Sequence, residues 1–385
     1  MRNTKLKLFV DADVLVTPHF SGIGHYTLEL LRALDQLLEN RNDVTVELGV
    51  WFKDVRKLRS YGFRNFKIRR SLIPLRASNW LKNHNLQMPY DLLFGKRVYL
   101  FPNYSSWPTW FSKSITVIYD LSFEYFPQYV EPHNQAFLSS QVKKSAARSA
   151  KIITISSNSQ EEIHEFYGTS LKDIPIIYPG IDQSELFRWP EEAIEQVKVL
   201  YGITGKYILF VGNIEPRKNL RGLLLAYERL SKKIRNEYSL LLVGARGWLD
   251  NEILEIIERL RNDGNHIQQP NNYVKDADRA ALFSGASLFV YPSLYEGFGI
   301  PPVEAMACGV PTITSNNSSL PEAVGDAAVT VDANSVKDLT KAITTVLNDP
   351  KLQRDMIQKG FTQADKFSWN TEAKKLLSIL LEVGK

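Results

Sequence analysis

Short apolar runs alternate with segments of helical periodicity along the whole chain. In the first half, these runs predict strands over residues 6–11, 44–51, 98–101, 115–119, 152–155 and 174–178. Leucines at helical spacing between residues 28 and 38 predict a long helix that begins near Gly22, and a second helix is expected over 134–150. Strands that alternate with helices are typical of doubly wound α/β domains with parallel sheets.

The second half repeats this alternation, with strands predicted over 207–211, 240–243, 288–291, 312–314 and 328–331. The turn residues of Tyr178-Pro-Gly-Ile-Asp182 precede a polar helix expected at 190–201, and they mark a domain boundary. We therefore predict an N-terminal domain over residues 1–182, a C-terminal domain over 183–366 and a final helical segment over 367–385.

The length and composition fit two folded domains. At 385 residues the chain exceeds the limit of about 250–300 for a single core, and 44% hydrophobic with 23% charged residues excludes a disordered chain. Cys308 is the only cysteine, so no intrachain disulfide can form, which fits a reducing compartment. The first ten residues enter a strand too early for a secretory signal, and we expect a cytoplasmic protein without a membrane span.

Positive charge is concentrated in one segment of this basic chain, which has a net charge of +5. Residues 53–82 hold ten Lys and Arg side chains against the single anion Asp54, with aromatic and aliphatic residues between them. A surface that is both basic and apolar suits anionic lipid, and we expect contact with a membrane here. A solvated basic loop explains the same composition, and no recognisable module supports binding to nucleic acid.

Residues 289–311 combine an apolar strand, a glycine-hinged turn and a proline-started helix in the sequence FVYPSLYEGFGIPPVEAMACGVP. Gly297 and Gly299 permit close approach of the backbone to a ligand, and free N–H groups at a helix start attract phosphate. Glu296 in the turn and Glu304 in the helix can accept hydrogen bonds from two different sugar rings. The layout is typical of a sugar-nucleotide site; two solvated glutamates beside a turn are the alternative.

Two other loops carry candidate phosphate contacts. The sequence Ser-Gly22-Ile-Gly24 opens the first helix, and a dehydrogenase is disfavoured because Thr27 replaces a third glycine and no acidic residue ends the second strand. In the second half, Arg217 and Lys218 lie between a strand and a helix, where two cations can neutralise a nucleoside diphosphate in place of a metal. A solvated basic pair is the alternative.

The motif at 289–311 is accompanied by VGNIEPRKNL at 211–220, LVG at 242–244, FSGAS at 283–287 and SLPEAVGDA at 319–327. In order and spacing, the chain resembles the retaining glycosyltransferases of the GT-B fold, in particular the bacterial mannosyltransferase-like branch of glycosyl transferases group 1. The resemblance implies two Rossmann-like domains that face each other across a cleft, with the final helix crossing back to the first domain. It is weakest between residues 50 and 99.

The resemblance also implies how a nucleotide diphosphate sugar is held. Glu304 grips the ribose, Arg217 and Lys218 the diphosphate, and Glu296 with the backbone of residues 297–300 the sugar hydroxyls. The predicted donor-binding residues are Gly22, Gly24, Asn213, Arg217, Lys218, Tyr273, Val274, Glu296, Gly297, Phe298, Gly299, Ile300 and Glu304. The predicted catalytic residues are Glu296, Arg217, Lys218, Tyr119 and Asp120.

Two positions depart from the pattern of these relatives. Many of them carry an Arg directly after a strand glycine where this chain has Asn213, so Arg217 must supply the second charge. Many have His where this chain has Tyr119, which can hydrogen-bond a sugar hydroxyl but cannot act as a base near neutral pH, since its ordinary pKa is about 10. Asp120 either braces its loop or contacts the acceptor.

We expect a retaining, metal-independent hexosyltransferase that moves mannose from GDP-mannose to an acceptor hydroxyl in the biosynthesis of a cell-surface glycan or polysaccharide. The departing phosphate then accepts the proton of the acceptor on the same face of the sugar. The acidic pair Asp11 and Asp13 is a weak metal signal by itself, so we expect no metal or other cofactor. The expected partners are a saccharide or lipid-linked acceptor and, through residues 53–82, the inner face of the cell membrane, without nucleic acid. A GT-B sugar-nucleotide epimerase and a noncatalytic sugar-nucleotide-binding subunit remain open.

Overall fold

The chain divides into two compact units in a computed structural model that describes residues 5–17, 22–51, 55–71, 77, 80–81, 86–130, 132–247 and 251–385. The first unit consists of Met1–Gly180 together with Ser368–Lys385, and the second of Ile181–Phe367. No helix among the described residues is both long and apolar enough to cross a bilayer.

Each unit contains one parallel six-stranded sheet. In the first unit the spatial order is β3-β2-β1-β4-β5-β6, and in the second it is β12-β11-β10-β7-β8-β9. The strands of the first sheet are β1 (Leu6–Asp11), β2 (Val44–Trp51), β3 (Phe66–Ser71), β4 (Val98–Phe101), β5 (Ser114–Val117) and β6 (Lys151–Ile153). Those of the second are β7 (Lys206–Val211), β8 (Tyr238–Val243), β9 (Ile267–Gln268), β10 (Leu288–Tyr291), β11 (Thr312–Ser315) and β12 (Val329–Val331).

The strand order reverses between β1 and β4 in the first sheet and between β7 and β10 in the second. This is the order of doubly wound nucleotide-binding folds, whose ligands bind at the carboxyl ends of the strands beside the reversal. The position of a ligand in each unit is therefore expected from topology alone.

Helices connect the strands. The described α-helices of the first unit are α1 (Gly22–Leu37), α2 (Val55–Ser60), α3 (Tyr90–Phe94), α4 (Ser122–Tyr125), α5 (Pro132–Arg148), α6 (Ser157–Tyr167) and, at the end of the chain, α16 (Trp369–Val383). Those of the second unit are α7 (Glu191–Tyr201), α8 (Leu220–Glu228), α9 (Lys232–Glu237), α10 (Asn251–Asn262), α11 (Asp276–Ser284), α12 (Ile300–Ala307), α13 (Leu320–Val324), α14 (Val336–Asn348) and α15 (Pro350–Ala364). Short 3-10 turns occupy Asp13–Leu15, Pro127–Tyr129, Leu171–Asp173 and Pro216–Lys218.

The last helix belongs to the first unit and packs against α1. The ring of Trp369 meets that of Tyr26 edge to face, with centroids 5.5 Å apart. Glu372 is buried and its carboxylate accepts a hydrogen bond from the backbone N–H of Tyr178. These contacts fasten the end of the chain to the core of its N-terminal part.

One predicted strand is wrong and two strands were not predicted. Residues 174–178 form only a single bridge, between Ile176 and Thr154. Pro175 has no N–H to donate, and the N–H of Tyr178 donates to Glu372 instead of to a strand. The unpredicted strands are β3, which is rich in Lys and Arg, and the two-residue β9.

Candidate active site

The loops after β7 and β10 meet at the reversal point of the second sheet. Their junction is the carboxylate of Glu296, which is buried at 8% exposure. One carboxylate oxygen lies 2.6 Å from the ammonium of Lys218, and the other lies 3.1 Å from the guanidinium of Arg217. The hydroxyls of Ser293 and Tyr291 donate to the first oxygen at 2.6 and 3.0 Å. Two cations and one anion are thus fixed where topology predicts a ligand.

These charges hold Glu296 in its ionised form. Burial by itself raises the pKa of the Glu296 carboxyl, but the positive charges of Arg217 and Lys218 outweigh burial and lower that pKa to about 2. A carboxylate with so low a pKa accepts hydrogen bonds but takes up no proton near neutral pH. It can grip sugar hydroxyls and cannot serve there as a general base.

The two cations are placed by the turn Pro216–Lys218 and by its neighbours. Arg217 donates to the carbonyl of Tyr295 at 2.7 Å and to the carboxylate of Glu215 at 2.9 Å. Asn219 caps α8 through Gly222 and also donates its amide to the carbonyls of Pro292 and Ala333, at 3.1 and 2.7 Å. The segments after β7, β10 and β12 are therefore tied together by one side chain.

The turn that follows Glu296 leads directly into α12. Gly299 adopts a left-handed conformation, with φ 107°, directly before α12. Because Pro301 and Pro302 occupy the first turn of that helix and lack N–H groups, the donors at this end come from residues 297–300. Phe298 is buried and packs against the ring of Phe367, and this contact holds the turn in place.

Glu304 lies within α12, and its neighbour is a residue that the sequence did not single out. The guanidinium of Arg279, on α11, donates a hydrogen bond to Oε2 of Glu304. Glu304 is buried, and Arg279 also approaches Asp276 at 3.5 Å. The carboxylate expected to hold a ribose is thus already oriented by a cation.

The other donor-side positions are placed as follows. Asn213 follows β7 with an exposed side chain. Tyr273 is 80% exposed, whereas the side chain of Val274 is buried in the core of the second unit. Their contact with a nucleobase stays a prediction.

Gly22, Gly24, Tyr119 and Asp120 belong to the first unit. Gly22 is exposed and begins α1, and Gly24 is buried, while Ser21 lies outside the described residues.

The hydroxyl of Tyr119 donates to the carbonyl of Pro102 at 2.8 Å, and burial raises the pKa of Tyr119 well above the ordinary value. Asp120 accepts from the N–H of Ser122 at 2.9 Å, which braces the loop after β5. The described contacts of Tyr119 and Asp120 are internal to the unit.

Asp11 ends β1, and its carboxylate accepts a hydrogen bond of 3.3 Å from the backbone N–H of Asp13. Within the part of the chain that the structure describes, no group of three or more His, Cys, Asp and Glu side chains is arranged to hold a metal ion.

Three residues of the site escaped the sequence analysis. Tyr291 and Ser293 lie at the end of an apolar strand, where they are typical core residues, and Arg279 lies in an ordinary amphipathic helix. The available signal was spacing, because Ser293 stands three residues before Glu296 and Tyr291 five residues before it.

Comparison with known proteins identifies the family of this chain. Residues 195–363 match the family described as Glycosyl transferases group 1. O-antigen chain mannosyltransferase B of Escherichia coli is 31% identical over 358 residues, which cover 91% of this chain and 93% of that protein. The chain belongs to this family of glycosyltransferases.

The glycosyltransferase also matches the serotype-specific mannosyltransferase WbdA of Escherichia coli, at 31% identity over 230 residues that span 59% of this chain and 28% of WbdA. Solved structures that share its fold include the following two. Anabaena Alr3699/HepE in complex with UDP and glucose superposes with a TM-score of 0.73, 15% identity and coverage of 98% of this chain and 100% of that one. WaaG, a glycosyltransferase involved in lipopolysaccharide biosynthesis, superposes with a TM-score of 0.71 and 16% identity. The match covers 97% of this chain and 99% of WaaG. The predicted GT-B fold and the predicted family are both confirmed.

Proposed function

We propose that this glycosyltransferase moves mannose from GDP-mannose to an acceptor hydroxyl during the biosynthesis of a cell-surface polysaccharide. The observation that carries the proposal is the cluster of Lys218, Arg217 and Glu296 beside the strand reversal, where doubly wound sheets bind their ligands. The sugar and the process are supported by the Escherichia coli relative that shares 31% identity over 91% of the chain and is an O-antigen mannosyltransferase.

The donor is held within the second unit by charge and by hydrogen bonds. An ammonium has three N–H groups, and two of those of Lys218 go to Tyr291 and Glu296, which leaves the third for a phosphate oxygen. A bound diphosphate shares both cations with Glu296, whose carboxylate stays paired with them and accepts hydrogen bonds from sugar hydroxyls. The backbone N–H groups of residues 297–300 complete the grip on the sugar and phosphate.

Retention of configuration is the outcome that suits a Glu296 carboxylate which acts neither as a general base nor as a nucleophile. Because Glu296 is held ionised by two cations, it is a poor proton acceptor and a weak nucleophile. The bond between the anomeric carbon and the phosphate breaks, the acceptor oxygen bonds to that carbon on the same face, and the acceptor proton passes to the departing phosphate. Lys218 and Arg217 stabilise the charge on the leaving group, so transfer requires no metal.

A panel of nucleotide sugars tests the proposal. GDP-mannose, GDP-fucose, UDP-glucose and ADP-glucose are each incubated with the enzyme, with and without a mannose-terminated acceptor, and the products are read by NMR. We expect an α-mannoside from GDP-mannose and acceptor, and its loss in Glu296→Gln but not in the surface control Glu252→Gln. Sugar epimerised or nucleotide released at full rate without acceptor would identify an epimerase. Absence of any turnover with every donor would favour a binding subunit.

We further propose that the first unit contacts an anionic membrane, on its cytoplasmic side, through residues 53–82. Strand β3 is the edge strand of its sheet, and exposed cations lie along and before it: Arg56, Arg59, Arg64, Lys67, Arg69 and Arg70. Lys53, Arg76 and Lys82 lie outside the described residues. Cations on an edge strand also prevent pairing with other chains, so exposure of the charges alone does not decide their role.

An exposed aromatic pair in the same unit supports the membrane proposal. Trp110 and Phe111 are 67% and 66% exposed, and the nearby Leu92 and Leu93 are also exposed. The backbone N–H groups of Trp110 and Phe111 donate to the buried carboxylate of Asp91, at 3.1 and 2.7 Å. Aromatic side chains held outward on a fixed loop are suited to the interfacial region of a bilayer.

A further inference from the structure

Arg279 and Glu304 join two helices of the second unit. The guanidinium Nη2 of Arg279 donates to Oε2 of Glu304, while Oε1 of Glu304 receives no hydrogen bond from the residues that the structure describes. The Nε of Arg279 is buried and makes no hydrogen bond within the same set of residues. One carboxylate oxygen is therefore pinned and the other is left for a ligand.

This arrangement has a physical consequence for the carboxylate. Because the fork of Arg is planar, the hydrogen bond from Arg279 to one oxygen of this carboxylate also fixes the direction of the second oxygen. Asp276 also pairs with Arg279, through the other terminal nitrogen of the guanidinium, at 3.5 Å.

We propose that Arg279 is a positioning residue of the ribose subsite, which pins Oε2 of Glu304 so that Oε1 accepts from a ribose hydroxyl of the donor nucleotide. The proposal rests on the proposed function, in which Glu304 holds the ribose. It predicts that Arg279 affects affinity only for nucleotides that carry the hydroxyl which Glu304 binds. A simple brace between α11 and α12 would instead affect all nucleotides alike.

The experiment compares ribonucleotides with their deoxy forms by isothermal titration. Wild-type enzyme is first titrated with GDP, UDP and ADP, and the tightest ligand is then compared with its 2′-deoxy and 3′-deoxy counterparts. We expect at least one deoxy form to bind about tenfold more weakly or worse, since a hydrogen bond to a charged group is lost. Arg279→Met should remove most of that preference and leave affinity for that deoxy form unchanged.

Matched variants separate positioning from folding. Glu304→Gln should remove the same preference, the double variant should lose no more than either single one, and Arg279→Lys should recover part of it. Arg221→Met is the control, because Arg221 forms an exposed ion pair with Glu252 in the same unit. Thermal unfolding is recorded for every variant, and if Arg279→Met does not fold, Arg279→Lys and Glu304→Gln carry the test.

Two results would overturn the inference. If Arg279→Met keeps the full ribose preference, or weakens ribo and deoxy forms equally, Arg279 is only a brace. If the wild type binds nucleotide without any ribose preference, Glu304 does not hold the ribose. Failure of the wild type to bind any of the three nucleotides would instead defeat the proposed function on which the inference rests.

Discussion

The ammonium of Lys218 lies 2.6 Å from the carboxylate of Glu296, although 78 positions separate the two residues in sequence. Lys218 follows β7 and Glu296 follows β10, and these strands are neighbours because the order of the sheet reverses between them. The contact is thus a direct product of topology. It brings opposite charges to the place where the sheet leaves room for a ligand.

Lys218→Ala should weaken the binding of GDP by about 1–3 kcal/mol, the range for loss of a charged hydrogen bond. The loss should be smaller for guanosine, which has no phosphate to contact the ammonium. Isothermal titration measures both. Lys206→Ala is a suitable control, since Lys206 forms an exposed pair with Glu237 in the same unit. Equal GDP titrations for Lys218→Ala and the wild type would remove Lys218 from the site.

The stability of the enzyme should depend on Glu296 in a defined pH window. The pKa of Glu296 is lowered from 4.5 to about 2 in the folded state, so its stabilising effect is complete above about pH 4.5 and is lost as the pH falls towards 2. At pH 7, Glu296→Gln should lower the free energy of unfolding by an amount on the order of 3 kcal/mol. Urea unfolding between pH 2.5 and 7 should show the two proteins converging in acid. A difference that stays constant across that range would contradict the ion-pair explanation.

Activity should survive removal of divalent cations. Arg217 and Lys218 supply the positive charge that a metal ion provides in other transferases. Transfer from GDP-mannose is to be measured after treatment with EDTA and again after addition of magnesium or manganese. Complete loss in EDTA with full recovery on adding metal would reopen a role for Asp11 and Asp13.

Gly244→Ala should disturb the site through a steric clash with the backbone of Gly212. A Cβ at Gly244 would lie 1.9 Å from the carbonyl oxygen of Gly212, in the loop that leads to Lys218. Either the strand ends separate or the loop after β7 shifts, so we expect loss of both thermal stability and GDP affinity. Gly264→Ala is the control, since that glycine has a positive φ of 79° but no heavy atom within 4 Å of the added Cβ. Similar behaviour of the two variants would mean that close packing at Gly244 is unimportant.

Binding to vesicles should depend on charge and on the aromatic pair in different ways. Changing Arg64, Lys67, Arg69 and Arg70 to Ser should reduce co-sedimentation with anionic vesicles at low salt, because basic residues near such a surface contribute roughly 1 kcal/mol each. Trp110→Ser with Phe111→Ser should reduce the part of the binding that survives 1 M salt, where screening leaves a range of about 3 Å. The membrane proposal would be defeated if binding of the wild type did not depend on lipid charge. It would also be defeated if the wild type and the two variants bound vesicles equally.

Most strands of the fold could be predicted because a strand buried on both faces is a continuous apolar run. The strand β10 was predicted to the residue, and β7 to within one residue. Strand β3 was not, because it lies at a sheet edge and its exposed positions are filled by Lys67 and Arg69. An edge strand carries little burial signal, so its sequence is dominated by charge.

In the candidate site, the local structure was predictable where the backbone chemistry is special. The glycines and prolines around Glu296 and Glu304 predicted a turn and the start of a helix. The basic pair Arg217 and Lys218 was recognisable because it follows a predicted strand. Tyr291 could not be distinguished from a core residue, because its hydroxyl meets Lys218 only after β7 and β10 pair. The five-residue spacing between Tyr291 and Glu296 is the single local sign of its role.

The placement of α16 in the first unit has a consequence for how the protein is made. The N-terminal part of the chain leaves the ribosome first, but its unit lacks a packed helix against α1 until residues 368–385 have been synthesised. The whole second unit must be translated in between, which takes on the order of ten seconds or more at about 5–20 residues per second. During that interval, the face of α1 that will receive Trp369 is uncovered, whereas residues 181–367 can already complete their own core. The unit that begins first is therefore expected to finish last, and nascent chains are most exposed to aggregation or to chaperone capture at this N-terminal helix.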